Sequence, residues 1–181
     1  MKRIIALTAI GRDRPGIVAE VTRILFARGG NIEDSSMTIL RGEFAMILII
    51  SLPDGQEIDA LDHDLKRMAR RMSLFAALKE IELVSPTRPV RRGHSYIISL
   101  LGSDKTGIVY RVSRLLASRG VNITDLNTRL IGTRRRPVYA MVIEAQVPSR
   151  LAVRRLSADL KKLADKMNVT ITLKPLESVE L

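Results

Sequence analysis

The sequence predicts an α+β protein made of two βαββαβ units in tandem, each with an antiparallel sheet. Three observations predict it: a repeated segment, strand-like and helix-like apolar periods recurring in the same order, and an aperiodic stretch between the copies. Gly11-Arg12-Asp13-Arg14-Pro15-Gly16-Ile17-Val18 returns as Gly102-Ser103-Asp104-Lys105-Thr106-Gly107-Ile108-Val109, 91 residues later. The register holds as Val21, Arg23 and Leu25 meet Val112, Arg114 and Leu116. It then carries Arg28-Gly29, Asn31-Ile32 and Asp34 onto Arg119-Gly120, Asn122-Ile123 and Asp125. A duplicated domain can pack about a pseudo-twofold axis, which makes the clefts where copies meet the first place to seek function.

Ile4 to Ile10 and Tyr96 to Leu101 are short apolar runs ending at glycine, the pattern of a buried central strand entering a turn. Ile17, Val18, Val21, Ile24 and Leu25 then follow one helical stripe, as do Ile108, Val109, Val112, Leu115 and Leu116. Pro15 suits a first helical turn. Gly29-Gly30 and Gly120 supply the left-handed residue that closes a helix. Asn31 to Leu40 and Asn122 to Ile131 read as second strands, Phe44 to Leu52 and Val138 to Val147 as third strands. Arg41-Gly42-Glu43 joins the first pair, and the longer Gly132-Thr133-Arg134-Arg135-Arg136-Pro137 joins the second, so the offset grows to 95 between Met46 and Met141. Second helices follow on Leu61, Leu65, Met68 and Met72 and on Leu156, Leu160, Leu163 and Met167. Leu78 to Val84 and Val169 to Leu173 read as last strands. The two-proline stretch 85–93 has no periodicity and reads as a linker between a first domain, 1–84, and a second, 94–176, with a tail at 177–181. The βαββαβ order is the ferredoxin-like arrangement.

Hydrophobic residues make up 46% of the 181 and aromatics 3%, so the cores must be aliphatic. Small aliphatic cores favour docking of the two units. Absence of cysteine excludes disulfides, thiolate metal sites and cysteine nucleophiles. Met1-Lys2-Arg3 followed by Ile4-Ile5-Ala6-Leu7 imitates the start of a signal peptide, but Asp13 and Arg14 cut the run short. No stretch approaches the roughly 20 apolar residues of a membrane span, and the expectation is a soluble, cytoplasmic protein. Residues 1–84 hold 12 basic and 12 acidic side chains and residues 85–181 hold 18 and 7, so the whole excess of +11 lies in the second half. That excess invites an anionic partner.

The turn Gly11 to Gly16 precedes a helix N-terminus, where free amides and the helix dipole attract a carboxylate or phosphate. Asp13 and Asp104 add a place for a cation nearby, and an α-amino acid carries both charges at that separation. The same residues also fit a purely structural turn with Asp13 as the helix cap, and Asn31 and Asn122 also fit residues that satisfy backbone groups after a helix stop. Catalysis finds little support. His63 and His94 do not recur between copies and read as surface residues, and Asp59, Asp62 and Asp64 read as a solvated first helical turn. No nucleophile elbow or phosphate-cradling glycine loop with a lysine is visible, so neither enzymatic activity nor a metal or cofactor is expected.

A unit whose first turn reads Asp13-Arg14-Pro15-Gly16-Ile17, followed by Arg28-Gly29-Gly30-Asn31-Ile32, resembles the ACT domain family of small-molecule regulatory modules. Two such units at this length resemble the glycine cleavage system transcriptional repressor family. The resemblance implies two ACT domains paired side by side with their sheets joined into eight strands. An amino acid would then bind where the loop Gly11, Asp13, Arg14, Pro15, Gly16, Ile17 faces Asn122 and Asp125. A second would bind where Gly102, Asp104, Lys105, Gly107, Ile108 face Asn31 and Asp34. Loop amides would hold the carboxylate and the asparagine would read the ligand. Lys105-Thr106 departs from Arg14-Pro15 and makes that loop less rigid.

Arg134, Arg135 and Arg136 at a hairpin tip, with Arg154 and Arg155, form the surface expected to dock a protein partner such as a transcription regulator. Ligand and partner would then alter each other's binding, and a homodimer is open. The rival reading is a basic ferredoxin-like nucleic-acid-binding protein. Such RNA readers stack bases on sheet aromatics, and only Tyr96, Tyr110 and Tyr139 mark the basic half.

Overall fold

The computed structural model describes residues 3–55, 57–81, 93–133 and 136–176. The expected linker, apart from Gly93, and the expected tail lie outside the described residues, as do Arg134 and Arg135. The chain divides into two compact units, Met1–Thr87 and Arg88–Leu181. The first runs β1 (Arg3–Arg12), α1 (Ile17–Ala27), β2 (Asn31–Leu40), β3 (Glu43–Leu52), α2 (Ile58–Met72) and β4 (Leu74–Ile81). The second runs β5 (Gly93–Gly102), α3 (Ile108–Ser118), β6 (Asn122–Thr133), β7 (Arg136–Pro148), α4 (Val153–Met167) and β8 (Val169–Pro175). Each is a four-stranded antiparallel sheet, ordered β2-β3-β1-β4 and β6-β7-β5-β8. Both units have the ferredoxin-like βαββαβ fold.

Alternation decides which side of each sheet is covered. Ile5, Leu7 and Ala9 of β1 and Met46, Leu48 and Ile50 of β3 point to one face. There they share a core with Val21, Ile24 and Leu25 of α1 and Leu61, Leu65 and Met68 of α2. Ile98, Leu100, Met141 and Ile143 build the corresponding floor under Val112, Leu116, Leu156 and Leu160. Each such buried Val, Leu, Ile or Met side chain contributes about 1.5–3 kcal/mol. At the rim of the first sheet, Arg3 donates twice to the Glu80 carboxylate, at 2.9 and 3.0 Å, and ties β1 to β4.

Three local features differ from expectation, and one helix stop carries no mark in the sequence. Helix α1 begins at Ile17, and Gly16 at φ 95° is its N-cap, so Pro15 lies in the turn and not in the first helical turn. The last strand of the first unit begins at Leu74, paired with Gly11, four residues before the expected start. Helix α2 stops at Ser73, which takes the left-handed conformation at φ 54°, and a serine gives no sequence mark of that turn. The β6–β7 ladder continues through Gly132–Pro137 to Thr133–Arg136, so most of the expected loop is paired strand and Arg136 opens β7. In both units the second strand carries a β-bulge, between Ile32 and Asp34 and between Ile123 and Asp125.

Gly11 and Gly102 are explained by packing. A Cβ on Gly102 would lie 2.5 Å from Val169 Cγ1 and 2.9 Å from Val169 Cβ, and one on Gly11 would lie 3.0 Å from the Ser73 carbonyl oxygen. Gly102→Ala is therefore expected to destabilise the second unit by about 1–3 kcal/mol through overpacking. A lowered urea midpoint would register this, and an unchanged midpoint would refute it.

Candidate functional site

The turn after β1 is held by the Asp13 amide, which donates to the Gly42 carbonyl at 2.8 Å. Gly16 and Gly107, at φ 95° and 87°, then start the helices, and no side chain caps either one. Asp13 is thus not the helix cap. The first helical bonds run from Glu20 N to Gly16 O and from Arg111 N to Gly107 O, and the amides ahead of them have no intrahelical acceptor. Asp13, Arg14 and Pro15 are exposed, as are Asp104 and Lys105, whereas Ile17 and Ile108 belong to the cores. Any contact of these two isoleucines with a ligand is therefore made by backbone. Lys105 Nζ donates to the Met167 carbonyl at 3.1 Å, tying the second loop to the end of α4.

Asn31 and Asn122 are exposed at the start of edge strands β2 and β6. Asn31 Nδ2 donates to Glu33 at 3.2 Å, Asp34 accepts the Ser35 amide at 2.7 Å, and Asp125 accepts from Asn127 at 2.6 Å. Asn31 pairs with Ser51, which pairs with Ile4, while Gly11 lies near the other end of the same strand, seven residues on. At about 3.3 Å per residue, the loop and the asparagine of one unit are separated by about 23 Å along the sheet. The structure does not bring the two halves of the expected site together within a unit.

Sequence reasoning missed a pair of ion contacts that joins the helices. Arg28, just after α1, donates through Nη2 to Asp64 of α2 at 2.5 Å, and Arg119 does the same to Asp159 of α4. Asp64 is thus no solvated first-turn residue, and Asp62, part-exposed and bonded to Lys66 at 2.6 Å, also lies beyond the first turn, which holds Asp59. The signal was the recurrence of Asp64 at Asp159 with the 95-residue offset. Arg154 and Arg155 are exposed in the first turn of α4, which has no acidic residue there. Folding does not favour cations at that end of a helix. Among the described residues no group of three or more His, Cys, Asp or Glu could hold a metal ion, and no helix is long and apolar enough to cross a membrane.

The hydrogen bond from Arg28, reinforced by Arg67, holds the Asp64 carboxyl below the usual aspartate range. A carboxyl lowered in the fold stabilises it above the unfolded value, about 3.9, and loses that contribution as pH falls through the folded value. Asp64→Asn is expected to weaken the protein at pH 7 and to flatten its loss of stability below about pH 4. Urea unfolding from pH 7 to pH 2.5 measures both, and parallel pH curves for variant and parent would contradict the assignment.

With this geometry in hand, the likeness to known proteins is consistent across sequence and fold. The ACT domain family profile matches residues 3–79 and again 94–174. The chain is 29% identical over 125 residues to the glycine cleavage system transcriptional repressor of Escherichia coli, a match covering 69% of this chain and 64% of that protein. It is 36% identical over 69 residues to a UPF0237 protein of Methanopyrus kandleri, covering 38% of this chain and 77% of that one. The fold matches the crystal structure of an unknown protein from Galdieria sulphuraria with a TM-score of 0.83 at 24% identity, over 98% of this chain and 100% of that one. The chain belongs to the ACT domain family and carries two copies of the domain in tandem.

Proposed function

We propose that this is a non-catalytic, amino-acid-sensing regulatory protein that binds a small amino acid through its ACT domains and modulates a partner. The observation that carries the reading is the recurrence, in both units, of a turn whose last glycine has positive φ and opens a helix with free amides. Those amides suit an α-carboxylate. Exposed Asn31 and Asp34, or Asn122 and Asp125, suit an ammonium group and a short side chain. The loop and asparagine of one unit lie at opposite ends of its sheet, so a ligand using both takes them from two different ACT domains. A role in transcription regulation, as in the glycine cleavage system, is supported by the name of the Escherichia coli relative. Arg154 and Arg155, together with Arg134, Arg135 and Arg136, are the side chains assigned to partner docking.

A second reading, binding of nucleic acid by the basic unit, is favoured by the two exposed arginines at the start of α4. Its contacts would be made to phosphates and would weaken steeply with salt.

Isothermal titration against the twenty amino acids tests the first reading. One amino acid is expected to bind, and Asn31→Ala or Asn122→Ala is expected to weaken it about tenfold, about 1.4 kcal/mol. Silence across the panel with a folded protein would reject the sensor.

A further inference from the structure

The two units share a fold and differ in one cluster of charge. In the first, Glu20 on α1 sits between two arginines: its Oε2 accepts from Arg23 at 3.2 Å and from Arg71, at the end of α2, at 2.7 Å. One carboxylate and two guanidiniums, net +1, bridge the two helices beside a cavity of about 290 Å³ lined by Arg23 and Arg71. Arg23 and Arg71 hold the Glu20 carboxyl below its usual range, as expected for a carboxylate that both cations share.

The duplication carries these three positions to Arg111, Arg114 and Lys166. The carboxylate is replaced by a third cation, net +3. Arg114 lies over the Tyr110 ring, 6.0 Å from its centroid, and donates to the Tyr110 hydroxyl at 3.3 Å. Among the described residues no carboxylate pairs with Arg111, Arg114 or Lys166. A cavity of about 160 Å³ opens here, lined by Lys105, Thr106, Ile108, Arg111, Lys166 and Met167. A second, of about 250 Å³, shares Lys166 and runs over Leu115 and Leu163 toward the Arg119–Asp159 pair. The three cations that line the smaller cavity, Lys105, Arg111 and Lys166, repel each other, and the first unit has Arg14, Glu20 and Arg71 at the same positions, net +1.

We propose that the second ACT domain binds an external phosphate group in this cavity, at the place the first domain fills with the Glu20 carboxylate. The charge selects the ligand. A doubly charged anion returns the cluster to the +1 of the first unit, whereas a single carboxylate leaves it one charge short. Arg111 offers a planar fork of donors and Lys105 and Lys166 offer point charges, a combination suited to tetrahedral phosphate oxygens. The smaller cavity takes the phosphate, and the neighbouring one with its leucine floor takes the rest of a phosphorylated metabolite. Lys105 and Ile108 belong also to the expected amino-acid loop, whereas Arg111 and Lys166 do not, so variants at these two residues test the inference apart from that reading.

Calorimetric titration with inorganic phosphate and with glucose 6-phosphate, at ionic strength held constant with NaCl, tests it. Saturable binding is expected. Arg111→Glu, which recreates the arrangement of the first domain, should weaken binding at least tenfold while melting at or above the parent temperature in phosphate-free buffer. Lys166→Gln should weaken binding as well. Tighter binding of the sugar phosphate would identify a metabolite as the source, and equal binding would identify free phosphate. Unchanged affinity in folded Arg111→Glu, or heat that NaCl alone reproduces, would overturn the proposal. So would a short RNA that displaces phosphate and depends on Arg154 and Arg155 but not on Arg111.

Discussion

The pairing of the first strand of each unit, along one edge with the third strand and along the other with the last, carries everything else. Leu7 lies between Leu48 and Leu78, and Leu100 between Met141 and Ile171. These inward rows make the floor on which both helices rest, so the strand register also decides where the next loop leaves the sheet. At that exit the backbones come so close that Gly11 and Gly102 have no room for a Cβ. Five residues on in each unit, a left-handed glycine, Gly16 or Gly107, opens the helix. Both units thus present a helix N-terminus with free amides just beyond the sheet exit.

On the opposite side, the helices are coupled by charge. The Arg28–Asp64 and Arg119–Asp159 pairs recur at equivalent positions, each part-buried. Such a pair, once formed, is hard to lose on one side, because removing one member strands the other away from water. Around this constant pair the surface has diverged. Arg67 and Arg71 in the first unit and Lys162 and Lys166 in the second keep basic residues beside it, while Glu20 gives way to Arg111. Part of the basic excess consequently lies on the helical layer of the second unit, at Arg111.

Much of the fold was legible in the sequence. The first helix of each copy shows an uninterrupted stripe, and Gly29 and Gly120 do take the left-handed conformation that ends it. The strands β2 and β8 begin where the pattern places them, at Asn31 and Val169. Ser73 escaped notice because serine gives no mark of the left-handed conformation, whereas Asn168 is of the type that favours it and was a legible stop. The bulges at Ile32/Asp34 and Ile123/Asp125 were equally silent, since an extra residue in one strand has meaning only against its partner.

The sequence by itself determined the duplication, the order of elements and the family to which both units belong, because these rest on local period and on residues within a single turn. Tertiary structure decided which charges meet. Arg28 and Asp64 are 36 residues apart and Glu20 and Arg71 are 51 apart, and their approach depends on how two helices lie across one sheet. It decided as well that the turn and the asparagine of one unit stand at opposite ends of that sheet. Sequence spacing measures distance along the chain, whereas a site depends on distance through space, which the strand register sets.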